Sequence, residues 1–252
     1  MSRFLLSSRL GFGATLRAVA VLLTLTVAAP SRAVGTEPDL VNVRSIDPTI
    51  AVELRYAGTR NVTGRPLYPS NMPALLRPSV AQKVADAHRY LRTRGFGLKI
   101  WDAYRPKATH DQLWDTARNS EYVADPTAGR GSLHTWGVAI DATLVTARGA
   151  EVKMPTDFDE FTPAAMLKYT GPDKTVGYHL RLLQSAMARA GFYGMRTEWW
   201  HFVVKDWQNY RAIPAVTIVS QTPAPATPAP PAPATSSSNG ATGQGRSAPG
   251  MR

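Results

Sequence analysis

From Gln221 the chain runs QTPAPATPAPPAPATSSSNGATGQGRSAPGMR, proline and alanine followed by serine, glycine and asparagine, with almost no large apolar residue. Such a composition has little to bury, so it predicts an extended, disordered tail over 221–252. The other end is set apart as well. Arg3, Arg9 and Arg17 precede the apolar run AVAVLLTLTVAA (Ala18 to Ala29), and Ser31 and Ala33 supply the small residues read by a signal peptidase. A membrane-spanning helix needs about 20 apolar residues, and this run has 12. The pattern therefore predicts a signal peptide over 1–33, cleaved after Ala33. Folding is left to the segment between, 34–220, which is enough for one domain.

Export would place that domain in the periplasm or outside the cell, with no transmembrane segment once the leader is removed. There is no cysteine. In an oxidising compartment such a domain has to be held by its core or by a metal, since no disulfide or lipidated cysteine is available. Six arginines (Arg3, Arg9, Arg17, Arg32, Arg246 and Arg252) lie in the two ends, which contain no acid, so the net +11 of the whole chain falls to +5 over the middle. That balance is no nucleic-acid footprint. It is compatible with anionic envelope polymers such as peptidoglycan.

Within the middle, IAVELRY (Ile50 to Tyr56) alternates apolar and polar residues as a half-buried strand does. NVTGRPLYPSNMP follows as a long loop. Ser79 and Gln82 have the spacing of a capping box, and Val80, Val84, Ala87 and Leu91 follow at helical spacing until Gly95. On that helix His88 is expected to edge the core. GLKIWDAYRP reads as a strand ending before Pro106, with a helix beginning at the proline. GVAIDATLV is a strand rich in small and β-branched residues. Leu180, Leu183, Met187 and Ala190 form a helical stripe stopped by Gly191, and EWWHFVV (Glu198 to Val204) is a last strand. Together these predict a single α+β domain: a central antiparallel sheet, helices packed on it, and a cleft framed by long loops.

Of the five histidines, only His134 and His201 stand beside predicted strands with an acid nearby. In SLHTWGVAID, strand alternation puts Ala139 and Asp141 on one face and Val138 and Ile140 on the other. Gly137 permits a bend that lets His134 fold back over the face of Asp141. A carboxylate amid apolar residues needs a cation or several donors. On this stretch alone, a buried turn and half of a metal site are equally good readings. In TEWWHF, Glu198 and His201 would face opposite sides of an even strand, so a shared site requires a bend or bulge near Trp199. Two histidines and one carboxylate make a three-ligand zinc site with a fourth position open for water, and Glu198 beside it would serve as general base. Arg105, at the end of WDAYRP, would stabilise a developing oxyanion.

SLHTWGVAID and EWWHF resemble the S-x-H-x-x-G-x-A-x-D and E-x-W-H elements of the zinc D,D-peptidases. LRYAGTRNVTGRPLY, LKIWDAYRP, MPTDFDEF and EWWHF together resemble the D-alanyl-D-alanine dipeptidase branch, the VanX type, over roughly Asp39 to Asp206. The resemblance implies zinc on His134, Asp141 and His201, Glu198 as base, Arg105 on the transition state, and D-alanyl-D-alanine as substrate. It further implies Asp159 as partner of the substrate ammonium, with Asp157 as a competing acid, and Ser132 as an aid to substrate orientation. After FDEF, this chain lacks the His-rich stretch of the resistance enzymes. A carboxypeptidase trimming peptidoglycan stem peptides and a non-catalytic envelope-binding module are the alternatives.

Overall fold

The computed structural model describes residues 40–213, so the predicted leader over 1–33 and tail over 221–252 lie outside the described residues. In chain order the elements are β1 (Val41–Asn42), α1 (Val43–Ile46), β2 (Ala51–Val52), β3 (Leu75–Leu76) and α2 (Pro78–Arg92). β4 (Phe96–Asp102), α3 (Lys107–Ala117), β5 (Ala139–Thr146), α4 (Lys174–Arg189), β6 (Phe192–Gly194) and β7 (His201–Val204) complete them. Five strands form one sheet in the order β2-β4-β5-β7-β6, and β1 pairs separately with β3.

The expectation of an α+β domain holds, with one adjustment to the sheet. β4, β5, β7 and β6 are antiparallel neighbours, whereas β2 joins the edge in parallel. Leu98 and Ile100 of β4, Ile140, Ala142 and Leu144 of β5 and Phe202 of β7 share one core cluster with Val80, Val84 and Leu91 of α2 and Leu180, Leu183 and Met187 of α4. Alternation then turns Asp141 and His201 to the other face, away from the helices.

Two local expectations are corrected. The predicted strand over Ile50–Tyr56 is only the two residues of β2. After it the chain tightens into a helical turn at Arg55–Ala57, which buries both Arg55 and Tyr56. Ser79 and Gln82 form no capping box. α2 starts two residues earlier than a Ser79 cap implies, at Pro78, whose fixed φ suits a first helical position and whose missing N–H costs nothing there. Ser79 Oγ instead pairs with the Tyr210 hydroxyl at 2.8 Å, and the Gln82 amide donates to Asp86. His88 is structural, as expected. Its Nδ1 accepts from the Leu98 amide at 3.0 Å and its Nε2 meets Thr49 Oγ1 at 3.0 Å.

Candidate active site

Three neighbouring strands present one row of polar side chains. Asp141 of β5 stands opposite His201 of β7 and opposite Asp102 of β4. The second pairing depends on a register shift in β4. Ile100 pairs with Ala142 but Asp102 pairs with Asp141, so Trp101 is an extra residue. Such a bulge re-aims the side chain that follows it, and here it delivers Asp102 to the site.

His134 reaches the same place from a tight helical turn, Leu133–Trp136, that ends at Gly137 with φ 69°. The Ser132 hydroxyl begins the turn by accepting from the His134 amide at 3.3 Å. The dihedral demands glycine, and a Cβ on Gly137 would in addition stand 2.6 Å from Leu40 Cδ2, so that side chain would have to shift. The bend inferred from the sequence is therefore present. The second required bend is present too, in a different form. Glu198 to Trp200 make a turn closed by the His201 amide on the Glu198 carbonyl at 3.3 Å, after which β7 begins. This turn lets Glu198 and His201 face one cavity from positions three apart.

One ligand atom from each of His134, Asp141 and His201 lies within 4.8 Å of the others. His134 Nε2 is 3.1 Å from His201 Nδ1 and 3.4 Å from Asp141 Oδ2, and His201 Nδ1 is 3.0 Å from Asp141 Oδ1. His134 donates its Nδ1 proton to the Ala103 carbonyl at 2.7 Å, which leaves the Nε2 lone pair facing the cluster. This is the outer hydrogen bond that orients a metal-binding imidazole. Burial alone would raise Asp141, but His134 and then His201 hold its carboxyl well below the usual range.

Around this cluster is a cavity of about 280 Å³ lined by Tyr56, Arg105, Ser132, Asp159, Phe161, Glu198 and Trp200, among others. Glu198 is 6% exposed, with Oε2 4.0 Å from His201 Nδ1. Burial, then the charges of Asp141 and Asp159, push its carboxyl well above the ordinary value. Asp159 accepts from the Val62 amide at 3.1 Å and from the Tyr56 hydroxyl at 3.3 Å, and burial lifts it to about 7. It also adopts a left-handed φ of 57°. Asp157, the competing acid, is half exposed and pairs with Arg60 at 3.0 Å outside the cavity. A larger depression of about 450 Å³ beside Glu53, Arg55 and Arg60 brings together no comparable set of ligand atoms among the described residues.

Arg105 is fixed on several sides. Its Nε and Nη2 reach Asp102 Oδ2 at 2.9 and 2.8 Å, and Nη2 is 3.7 Å from Asp141 Oδ2. The ring of Tyr56 lies 4.9 Å from the guanidinium carbon, and Asp102 is itself held by the Tyr68 hydroxyl at 2.7 Å. Asp102, Tyr56 and Tyr68 have no site role in the sequence reading. The available signal was Asp102 itself, three residues before Arg105 in WDAYRP, but only the bulge makes it share a row with Asp141.

A buried His, Asp and His cluster beside a carboxyl of raised pKa and a clamped arginine, on an α+β sheet, defines a metallopeptidase. The family follows from the sequence as a whole. The chain belongs to the Peptidase_M15 family, D-ala-D-ala dipeptidase, whose profile matches residues 36–218. A D-alanyl-D-alanine dipeptidase of Escherichia coli (strain K12) is 32% identical over 172 residues, 68% of this chain and 88% of the relative. One of Enterococcus faecium is 27% identical over 172 residues, 61% of this chain and 85% of its own. Among solved structures, a vancomycin resistance D,D-pentapeptidase VanY mutant in complex with Zn(II) aligns over 55% of this chain and 77% of its own, at 15% identity and a TM-score of 0.37.

Proposed function

We propose that the protein hydrolyses D-alanyl-D-alanine to two D-alanines, with zinc held by His134, Asp141 and His201, in the periplasm or outside the cell, on dipeptide derived from peptidoglycan. The observation that carries this reading is the convergence of three ligand atoms, a basic clamp and two buried carboxyls in a single cavity. The donor set fits the ion: two imidazoles and one carboxylate suit zinc among the common divalent metals. An ion there would also explain why three electron-rich groups face one another. Bound zinc would supply Lewis acidity toward the scissile carbonyl and acidify a water nucleophile.

The chain's own residues divide the remaining work. Glu198, buried in the cavity beside His201 with its carboxyl pushed above the ordinary value, takes the proton from the attacking water and returns it to the leaving amine. Arg105, kept charged by its surroundings, donates to the oxygen on which negative charge develops. Asp159 meets the free ammonium of the substrate from the far wall, giving up its proton as the cation arrives. Ser132 lies close enough to the cavity to orient the peptide.

The test is a comparison of free D-alanyl-D-alanine with its N-acetyl form, using purified full chain with zinc and with chelator. Release of D-alanine from the free dipeptide alone, abolished by chelator, is expected. Rapid cleavage of the acylated form would sink the dipeptidase reading in favour of a carboxypeptidase, and no cleavage of either would sink both.

A further inference from the structure

Directly after Arg105 the chain enters α3, and the fourth residue of that helix is His110, 1% exposed and bonded on both ring nitrogens. Nε2 is 2.8 Å from the carbonyl oxygen of Ala124, and Nδ1 is 3.4 Å from Arg105 Nη1. Each partner has only one possible role. A carbonyl oxygen can only accept, so Nε2 must carry a proton; a guanidinium can only donate, so Nδ1 must offer its lone pair. The two contacts together select one tautomer of neutral imidazole.

We propose that His110, protonated on Nε2 alone, is a positioning residue that holds Arg105 aimed at the reacting carbonyl and ties it to the cavity wall at Ala124. This deepens the dipeptidase reading and rests on it for the role of Arg105.

The chemistry favours a histidine here. Asp102 already supplies one full counter-charge to the guanidinium, and Asp141 lies 3.7 Å from Nη2. Another carboxylate would neutralise the charge that Arg105 has to offer an oxyanion. A neutral imidazole fixes the fork's remaining nitrogen without cancelling that charge. Burial, followed by the neighbouring Arg105, pushes His110 down to about 4, which keeps it neutral across the working range. Ala124 belongs to the segment that also contributes Tyr122, whose ring stacks on Phe161 at 4.5 Å, and Glu121, whose carbonyl accepts from Thr197 Oγ1 at 2.9 Å. His110 therefore links the arginine to the same wall that meets the Glu198 turn.

Two measurements test this on the full, zinc-loaded chain. Nitrogen-15 NMR of labelled histidine should show His110 with a pyridine-like Nδ1 and a protonated Nε2. A proton on Nδ1 at neutral pH would overturn the proposal whatever the activity. The second compares substitutions that each keep one contact. An Asn side chain places its amide near the position of Nδ1, and a Gln side chain places its amide near that of Nε2. His110→Asn should keep most of kcat for D-alanyl-D-alanine. His110→Gln should lower kcat roughly ten-fold with KM little changed, the loss of one hydrogen bond to a charged group acting in the transition state. Equal activity of the Gln variant and wild type would overturn the proposal, as would an Asn variant as impaired as the Gln one. If wild-type protein leaves the dipeptide intact, the functional reading fails, while the tautomer seen by NMR still decides the geometry of His110.

Discussion

Asp159 offers a test in which stability and function move in opposite directions. Its carboxyl stands at about 7 in the folded protein against an ordinary 3.8, chiefly through burial. Between these two values the unfolded chain has released the proton and the folded chain retains it. Folding therefore takes up a proton, and stability falls as pH rises through this window, levelling off above the folded value. Each tenfold difference in proton affinity is worth about 1.4 kcal/mol, so the whole loss amounts to about 4 kcal/mol. Asp159→Asn keeps one acceptor, for the Val62 amide, and turns an NH2 toward the Tyr56 hydroxyl, which can rotate to accept from it, but the side chain cannot ionise. Metal-free wild type and variant should be equally stable near pH 4, and the variant should gain steadily until pH 7 to 8, by about 4 kcal/mol. Urea denaturation at a series of pH values measures this, because taking the difference between the two proteins cancels the titrating groups that do not feel the charge of Asp159; Glu198, which does, adds to the difference in the same direction. The same substitution should raise KM for the dipeptide, since the ammonium loses its partner. Parallel stability curves for the two proteins would refute the reasoning, because Asp159 would then be ionised in the folded state.

Other perturbations have equally definite outcomes. Glu198→Gln should bind zinc at one ion per chain by elemental analysis yet lose roughly a hundredfold or more in kcat, the scale of a general base. Retained turnover would remove Glu198 from that role. Gly137→Ala meets both a left-handed φ of 69° and Leu40 Cδ2 at 2.6 Å, and each difficulty is worth about 1–3 kcal/mol. Thermal melting should show the loss, and Leu40→Ala in the same chain should recover only the steric part. Zinc at about a thousandfold excess over its dissociation constant should stabilise the folded protein by about 4 kcal/mol. His201→Ala should abolish that response, and an unchanged zinc-dependent shift in melting would place the ion elsewhere.

The legible parts of this molecule were those whose cause is local. α2 and α4 announce themselves by apolar periodicity and by the glycines that stop them, because one buried stripe is enough to specify each, and β5, buried on both faces, by its run of small and β-branched residues. His134 and Asp141 were recognisable as a pair because strand alternation and one glycine limit where their side chains point. Glu198 with His201 was readable only as a requirement for a bend, and that bend turned out to be a turn. What stayed hidden depends on contacts between distant segments. β2 stops after two residues because burial of Arg55 beside Glu151, 96 positions away, outweighs the alternation of IAVELRY. Tyr56 and Tyr68 are brought to Asp159 and Asp102 by loops whose paths no periodicity describes. His110 looks like any histidine on a helix until Ala124 and Arg105 are seen to occupy both its nitrogens.

The bulge at Trp101 makes chain length a constrained quantity in its own right. Between Ile100 and Arg105 the number of residues decides which side chain stands opposite Asp141. Removing Trp101 would restore an even ladder with Asp102 still opposite Asp141 but without the bulge that re-aims it, and removing any residue from Asp102 to Tyr104 would shift Arg105 relative to that row; adding one would carry Arg105 past its clamp. Substitutions in this segment can be graded by size and charge, but a change in length cannot, because it reassigns every position beyond it at once. The loop from Arg60 to Pro73 is pinned at Val62 and Tyr68, which reach Asp159 and Asp102, but its exposed residues between and beyond those points belong to no strand, so insertions there should be accommodated. Natural variation in length should therefore collect in that loop and be absent from the five residues that follow Ile100.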